Sequence, residues 1–470
     1  MTATTATELW SMGVGQLARA IRERRVSSRE VVEAHLARIE SVNREQNAIT
    51  AVLRHEALAA ADEADRKIAA GDQVGSLHGV PFTIKENIDV AGSATTQGVK
   101  ALATAVPTLD APQVANLRQA GAIPIARTNM PDFALRWHTD NALHGATRNP
   151  WDPARTPGGS SGGEAVALAT GMTPLGLGND LGGSLRYPSQ CTGIAAMRPT
   201  LGRVPRASTI EPVDAPISIQ LYNSEGPMAR HVADLRLALE EMIKPSWRDP
   251  WYVPLPLAGP PLARPIRVAL VVDPAGQGTA GQVARGVRKA ADQLAASGYA
   301  VDEVEAPAVA LAAETWANLI VADLRVMWPM MSPLVSDDAN LFMSSVFEVG
   351  NDLDRGAHLQ SFMARQSLAR AWAEFQVTYP LILAPVSTVP PAAVGADLTP
   401  DGVAHLIQAM RMVVAVNLLG LPSASVPVGI DEGLPQAVQI IGPRYREDLC
   451  LDAAEALEQA CGVFTPIDPR

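Results

Sequence analysis

Cysteine is scarce. The 470 residues hold three, Cys191, Cys450 and Cys461, and none forms a C-x-x-C pair. That excludes a disulfide framework and removes the usual zinc and thioredoxin-type signatures. Small buried hydrophobes are the ordinary role for such cysteines. No run of about 18 uncharged apolar residues occurs, so no transmembrane helix and no membrane partner are expected. The opening M-T-A-T-T-A-T-E-L-W lacks a basic stretch followed by an apolar core. No signal peptide is therefore expected, and a cytoplasmic, reducing location is the default. Charged residues are sparse at 19%, which excludes a disordered polyelectrolyte. Basic residues are outnumbered, 38 Lys and Arg against 49 Asp and Glu, for a net charge of −11. A general nucleic-acid binder draws its affinity from cations on phosphates, so no nucleic-acid partner is expected. The eight histidines include no H-E-x-x-H and no other clear metal spacing, so neither metal nor cofactor is expected.

What the chain has is apolar mass and turn formers. Apolar residues make up 47%, and there are 36 glycines and 37 prolines. Residues 1–70 read as helices. Val14, Leu17 and Ile21 follow helical spacing. Ser27 and Glu30 form an S-x-x-E capping box before Val31, Val32, Leu36 and Ile39. The stretch from Asn43 to Ala70 reads as helical throughout. Short apolar runs bounded by Gly and Pro follow, at 79–85 and 122–126, with a helix over 112–120 between them. Strand candidates recur at 267–272, 381–386, 425–428 and 438–441, and a helix is expected over 279–296. Strands alternating with helices indicate an α/β protein. The six prolines between Pro250 and Pro265 read as a surface crossing rather than a domain linker.

The informative stretch is T-P-G-G-S-S-G-G-E from Thr156, then G-L-G-N-D-L-G-G-S-L-R-Y-P-S ending at Ser189. A serine hydroxyl is a weak nucleophile that needs a base and donors for the developing oxyanion. Glycines let backbone N–H groups approach closely. Leu181-Gly182-Gly183-Ser184 therefore reads as a nucleophile with its own amide cradle, against the plainer reading of a tight glycine turn. A nucleophile elbow centred on Ser160 needs a strand immediately before it. N-P-W-D-P-A-R-T-P cannot supply one. With no histidine singled out, a lysine base is the alternative. Lys85 closes the apolar run V-P-F-T-I-K. A strand-end lysine reaching water is the plain reading. To act as a base it must be neutral, which demands desolvation in a tight pocket.

Together these segments resemble the amidase signature family of serine hydrolases. The matching pieces are G-V-P-F-T-I-K-E-N at 79–87, T-R-N-P-W-D-P at 147–153 and P-G-G-S-S-G-G-E at 157–164. D-L-G-G-S-L-R-Y-P-S at 180–189, G-I-A-A-M-R-P-T at 193–200 and G-P-M-A-R at 226–230 complete the set. The resemblance is dense over 79–230 and weaker in the C-terminal strands. It implies a Ser–cis-Ser–Lys triad with Ser184 as nucleophile, Ser160 as proton bridge and Lys85 as base. It implies an oxyanion hole of backbone N–H groups at Leu181, Gly182, Gly183 and Ser184. Ser161, Asp180 and Arg186 match bracing positions. The implied fold is a single domain over residues 1–470, a large mixed, mostly parallel sheet covered by helices on both faces. Its parts are N-terminal helices at 1–70, the signature core at 79–230, a variable pocket region at 245–380 and C-terminal core strands and helix at 381–470.

The implied reaction is hydrolysis of amides, with esters and carbamates within the family's range. Trp316, Met327, Trp328 and Met330 belong to a Met- and aromatic-rich stretch suited to an apolar pocket, against the plainer reading of a core helix pair. Ala134 and Arg136 follow T-N-M-P-D-F, which matches a segment beside the nucleophile. A small-molecule substrate, neutral and apolar or aryl, is expected, with the chain a monomer or homodimer. The competing class is the catalytic subunit of a tRNA-dependent amidotransferase, which needs a partner chain. The segment I-S-I-Q-L-Y-N-S-E before Gly226 departs from the pattern of those subunits.

Overall fold

The computed structural model describes residues 9–210 and 213–470. The capping box forms as the sequence predicts. Ser27 Oγ accepts the Glu30 amide, Glu30 reaches back to the Ser27 amide, and the helix runs Ser28–Gln46. The expected helix over 43–70 is broken. The Asn43 side chain accepts the amides of Ala48 and Ile49 at 2.9 and 2.7 Å and turns the chain out of the helix. Strand β1 (Ile49–Val52) follows, and a second helix occupies Arg54–Ala70. Local helix preference yields here to strand pairing across the sheet edge.

The further strands are β2 (Pro81–Lys85), β3 (Ile123–Thr128), β4 (Leu175–Asp180), β5 (Ala195–Arg198), β6 (Ser224–Ala229) and β7 (Arg267–Leu270). β8 (Ala300–Glu303), β9 (Leu381–Pro385), β10 (Ser423–Asp431) and β11 (Leu434–Ile441) complete one sheet in the order β1-β3-β2-β4-β6-β5-β10-β11-β9-β7-β8. β7 lies in the same sheet as β6, so the proline-rich stretch 250–265 connects strands of one sheet.

The sheet is mixed. Parallel pairing joins β3, β2 and β4 at one end and β9, β7 and β8 at the other. The other six junctions are antiparallel, so the parallel share is smaller than the resemblance implies. One of the six has a local cause: β10 and β11 are joined by a tight turn at Glu432–Gly433, which only an antiparallel pair allows. β2, β3 and β4 are buried along their whole length, as parallel strands covered on both faces require. Two large apolar clusters lie against the sheet. One holds the N-terminal helices, the other the long helices between residues 309 and 378. Among the described residues no single helix is long and apolar enough to cross a membrane.

Candidate active site

Lys85 is the last residue of β2, flanked by β3 and β4, and its side chain is completely buried. Its Nζ donates to Ser160 Oγ at 2.6 Å and to Asn179 Oδ1 at 2.8 Å. Burial disfavours the ammonium and pulls its pKa down to about 7, against the opposing pull of Glu225, Asp180 and Glu164. A strand end inside the sheet thus makes a lysine that is neutral in part near pH 7. Asn179, one residue before the end of β4, is held in turn by Asn87, to whose Oδ1 it donates at 3.0 Å.

Ser160 sits in the loop leading into the helix Gly162–Ala169, with no strand before it. The Gly159–Ser160 peptide is cis. Gly158 has φ +82°, and a Cβ there would lie 2.6 Å from the Pro188 Cα, so only glycine fits. The Ser161 amide donates to the Ser184 carbonyl at 3.3 Å, and Ser161 Oγ donates to the Asn179 carbonyl at 3.4 Å. These two bonds tie the first Gly/Ser cluster to the second.

Asp180 builds the turn that carries Ser184. Its carboxylate accepts the Gly183 and Leu185 amides at 2.8 and 3.2 Å and both arms of Arg186 at 3.0 and 2.9 Å. Asn417 Nδ2 adds a bond at 2.8 Å. Burial alone would raise the Asp180 pKa, but Arg186 and Arg198 hold it far below the carboxylate range. Arg186 also donates to Asn417 Oδ1 at 2.7 Å and Gln439 Oε1 at 2.9 Å. The buried pair is therefore hydrogen-bonded on every side, the condition under which burying charge is tolerated.

This geometry corrects one expectation. The Gly183 amide is committed to Asp180 and is not a donor for an oxyanion. The amides of Leu181, Gly182 and Ser184 donate to no protein acceptor among the described residues. Their carbonyl sides are gripped instead. Trp137 Nε1 donates to the Gly182 carbonyl at 2.8 Å, and Trp316 Nε1 donates to the Leu181 carbonyl at 3.2 Å. The two indoles stack with centroids 6.5 Å apart. Gly183 has φ +98°, and a Cβ there would meet Val413 at 2.3 Å.

Ser184 opens on an apolar cavity of about 120 Å³. Trp316, Met327 and Ala134 line it, with Ile320, Leu324 and Phe342. The helix Val309–Met331 presents positions 316, 320, 324, 327 and 331 to the cavity, an i, i+4, i+8, i+11, i+15 face. Met330 lies off that face and is 71% exposed, so it is no pocket residue. Trp328 packs edge-to-face on Phe347 instead of lining the cavity. Arg136 contributes wall but no free charge. Its guanidinium is buried in a two-pronged pair with Asp397 at 2.9 and 2.8 Å. A second, larger cavity of about 510 Å³, with mixed polar and apolar walls, lies alongside and is lined by Ser160 and Asn179. Phe133 and Ala134 line both cavities, and both adopt positive φ, +46° and +61°. Such conformations cost about 1–2 kcal/mol each outside glycine and persist where surroundings enforce them.

Three residues went unforeseen: Asn179, Trp137 and Asn417. Asn179 adjoins the D-L-G-G-S run and Trp137 follows Arg136, so both stood next to recognised positions. Asn417 lies 237 residues from its partner Asp180, and no local pattern signals it.

The fold and the site together define a hydrolase of the amide C–N bond. The Amidase family model matches residues 30–451. An indoleacetamide hydrolase of Bradyrhizobium diazoefficiens is 44% identical over 459 residues, spanning 97% of this chain and 88% of that protein. A glutamyl-tRNA(Gln) amidotransferase subunit of a Picosynechococcus species is 30% identical, spanning 92% of this chain and 95% of that protein. A solved bacterial aryl acylamidase of the amidase signature family matches with a TM-score of 0.82 and 26% identity, covering 96% of both chains. This chain belongs to the amidase family.

Proposed function

We propose that the chain hydrolyses neutral amides of arylacetic acids, of the indole-3-acetamide kind, through an acyl-enzyme on Ser184. The 2.6 Å contact between a fully buried Lys85 and Ser160 carries this reading. Neutral Lys85 takes the Ser160 proton while Ser160 takes the Ser184 proton. Ser184 Oγ then bonds to the carbonyl carbon, and the oxyanion is received by the amides of Leu181, Gly182 and Ser184. Collapse breaks the C–N bond as Ser160 returns a proton to the nitrogen, because an amide anion leaves poorly. Water, deprotonated by the same relay, releases the acid.

The apolar lining of the cavity suits an aromatic acyl group. A cavity of roughly 150 Å³ lined by apolar side chains takes a benzene, and the space beside Ser184 is of that order. The amidase relative that shares 44% of its residues is named for indoleacetamide, in keeping with an aromatic acyl group. Esters and O-alkyl carbamates with the same acyl size fit the same chemistry.

The test is conversion of indole-3-acetamide to acid and ammonia by the purified chain alone. Wild type turns over, while Ser184→Ala and Lys85→Ala each lose turnover by about 10³-fold or more. Undiminished turnover in Ser184→Ala would overturn the nucleophile assignment. An inactive isolated chain that gains activity with a partner protein would favour the amidotransferase reading.

A further inference from the structure

The two cavities share a wall built by Phe133, Ala134, Leu181, Ile219, Met327 and Met331. Ser184 lines only the smaller, apolar one and Ser160 only the larger one. If Ser184 attacks the carbonyl carbon and Ser160 protonates the nitrogen, the acyl group occupies the first cavity. The departing amine then faces the second. That space, about 510 Å³, far exceeds what ammonia needs.

Its lining is charged and unbalanced. Asp89, Asp214, Glu225 and Asp249 stand against Arg206 and Arg248. Asp89 and Asp249 serve their own loops. Asp89 accepts the Thr209 amide and hydroxyl at 2.6 and 2.9 Å. Asp249 accepts the Arg206 and Trp251 amides, both at 2.9 Å. Glu225 differs. It lies on β6 directly opposite Asn179 of β4, so both side chains project from the same face of the pair. It is 4% exposed and lines the cavity. Its Oε2 accepts no hydrogen bond among the described residues. Its Oε1 has a 3.5 Å contact with Asn223 Nδ2 and a 4.0 Å approach to Arg206 Nε, and the side-chain amides of Asn179 and Gln113 hydrogen-bond weakly to the carboxylate. A buried carboxylate held by long amide contacts, with its nearest cation 4.0 Å away, is costly unless a closer cation completes its shell. Burial pushes its pKa up, with Arg206 and Lys85 opposing, and a further cation alongside would favour its ionised form.

We propose that the second cavity is a subsite for the leaving amine, and that Glu225 in its wall selects amines carrying a cationic or N–H-donating group. The chain would then cleave N-substituted amides with an aryl acyl part and a short polar amine part. This rests on the function proposed above.

The experiment compares three amides of one arylacetic acid with the purified chain: the primary amide, the N-(2-aminoethyl) amide and the N-butyl amide. Acid release is followed by chromatography. The aminoethyl amide is expected to exceed the butyl amide in kcat/KM by about tenfold or more, the worth of one charge-assisted hydrogen bond. In Glu225→Gln that ratio falls towards one, and in Glu225→Asp part of it returns. A purely structural Glu225 would change both rates alike and leave the ratio standing. Equal wild-type rates on the two substituted amides, or turnover of the primary amide only, would overturn the subsite even if the variants fail to fold. Failure of the underlying reading shows separately, as no turnover of any amide or as turnover surviving Ser184→Ala.

Discussion

At the scale of single residues, Lys85 sets the behaviour with pH. Its pKa falls from the ordinary 10.5 to about 7 because the sheet interior disfavours the charge. The proposed base is the neutral form. kcat/KM for indole-3-acetamide should therefore rise with pH through about 7 and level off above it; a profile flat between pH 5.5 and 8.5 would contradict the assignment. Stability carries a mark of the same group. Below pH 7 both folded and unfolded chains hold the proton, and the desolvation penalty is fully present. Between 7 and 10.5 the unfolded chain keeps a proton that the folded chain has shed, so stability rises with pH. Lys85→Met removes the penalty. It should abolish activity yet melt about 3 °C higher than wild type at pH 6, with the gap closing towards pH 10. The lysine was legible in the sequence because it ended an apolar run before a polar turn. Its partner Asn179 was not, because the contact spans 94 residues.

At the scale of elements, the turn after β4 is held from both ends. Asp180 fastens its amides and two indoles fasten its carbonyls. Phe in place of Trp137 keeps the apolar bulk and drops the N–H. Trp137→Phe should lower kcat for indole-3-acetamide by about tenfold with a smaller change in KM, since the loss falls on oxyanion alignment. An unchanged kcat would show that the turn keeps its shape without the indole. The glycines of this turn were readable as a place of close backbone approach. Which amides stay free was not readable. Gly183 is withdrawn by a carboxylate three residues earlier, and that depends on how the turn closes. The same limit explains β1. Its four residues read as helix by composition and become strand because β3 offers an edge to pair with.

At the scale of the whole molecule, the proposed substrate wall comes from long helices packed over the turn after β4. The helix Val309–Met331 contributes Trp316 to the amide turn and a face of side chains to the cavity. Ala317 lies on that wall. Ala317→Phe places a ring where the aryl acyl group is proposed to lie. It should raise KM for indole-3-acetamide by about tenfold or more while affecting propionamide far less, since the short acyl chain needs little of that space. Parallel losses on both amides would place the aryl group elsewhere. The wall is also anchored from afar. Asp132 accepts the amide and hydroxyl of Ser336 at 3.0 and 2.8 Å, and Arg136 is locked to Asp397. These bonds join segments about 200 residues or more apart in sequence.

The sequence by itself determined the α/β class, the amidase resemblance and the residue types at the reacting positions. Those properties live in short contiguous runs, where glycine spacing, caps and apolar strands act within a few residues of one another. The tertiary structure alone decided which amides remain free, which Met and Trp side chains reach the cavity, and the pairing of Glu225 with Asn179. Each of these depends on burial and on partners far along the chain. Desolvation and hydrogen-bond competition act only once the strands have come together.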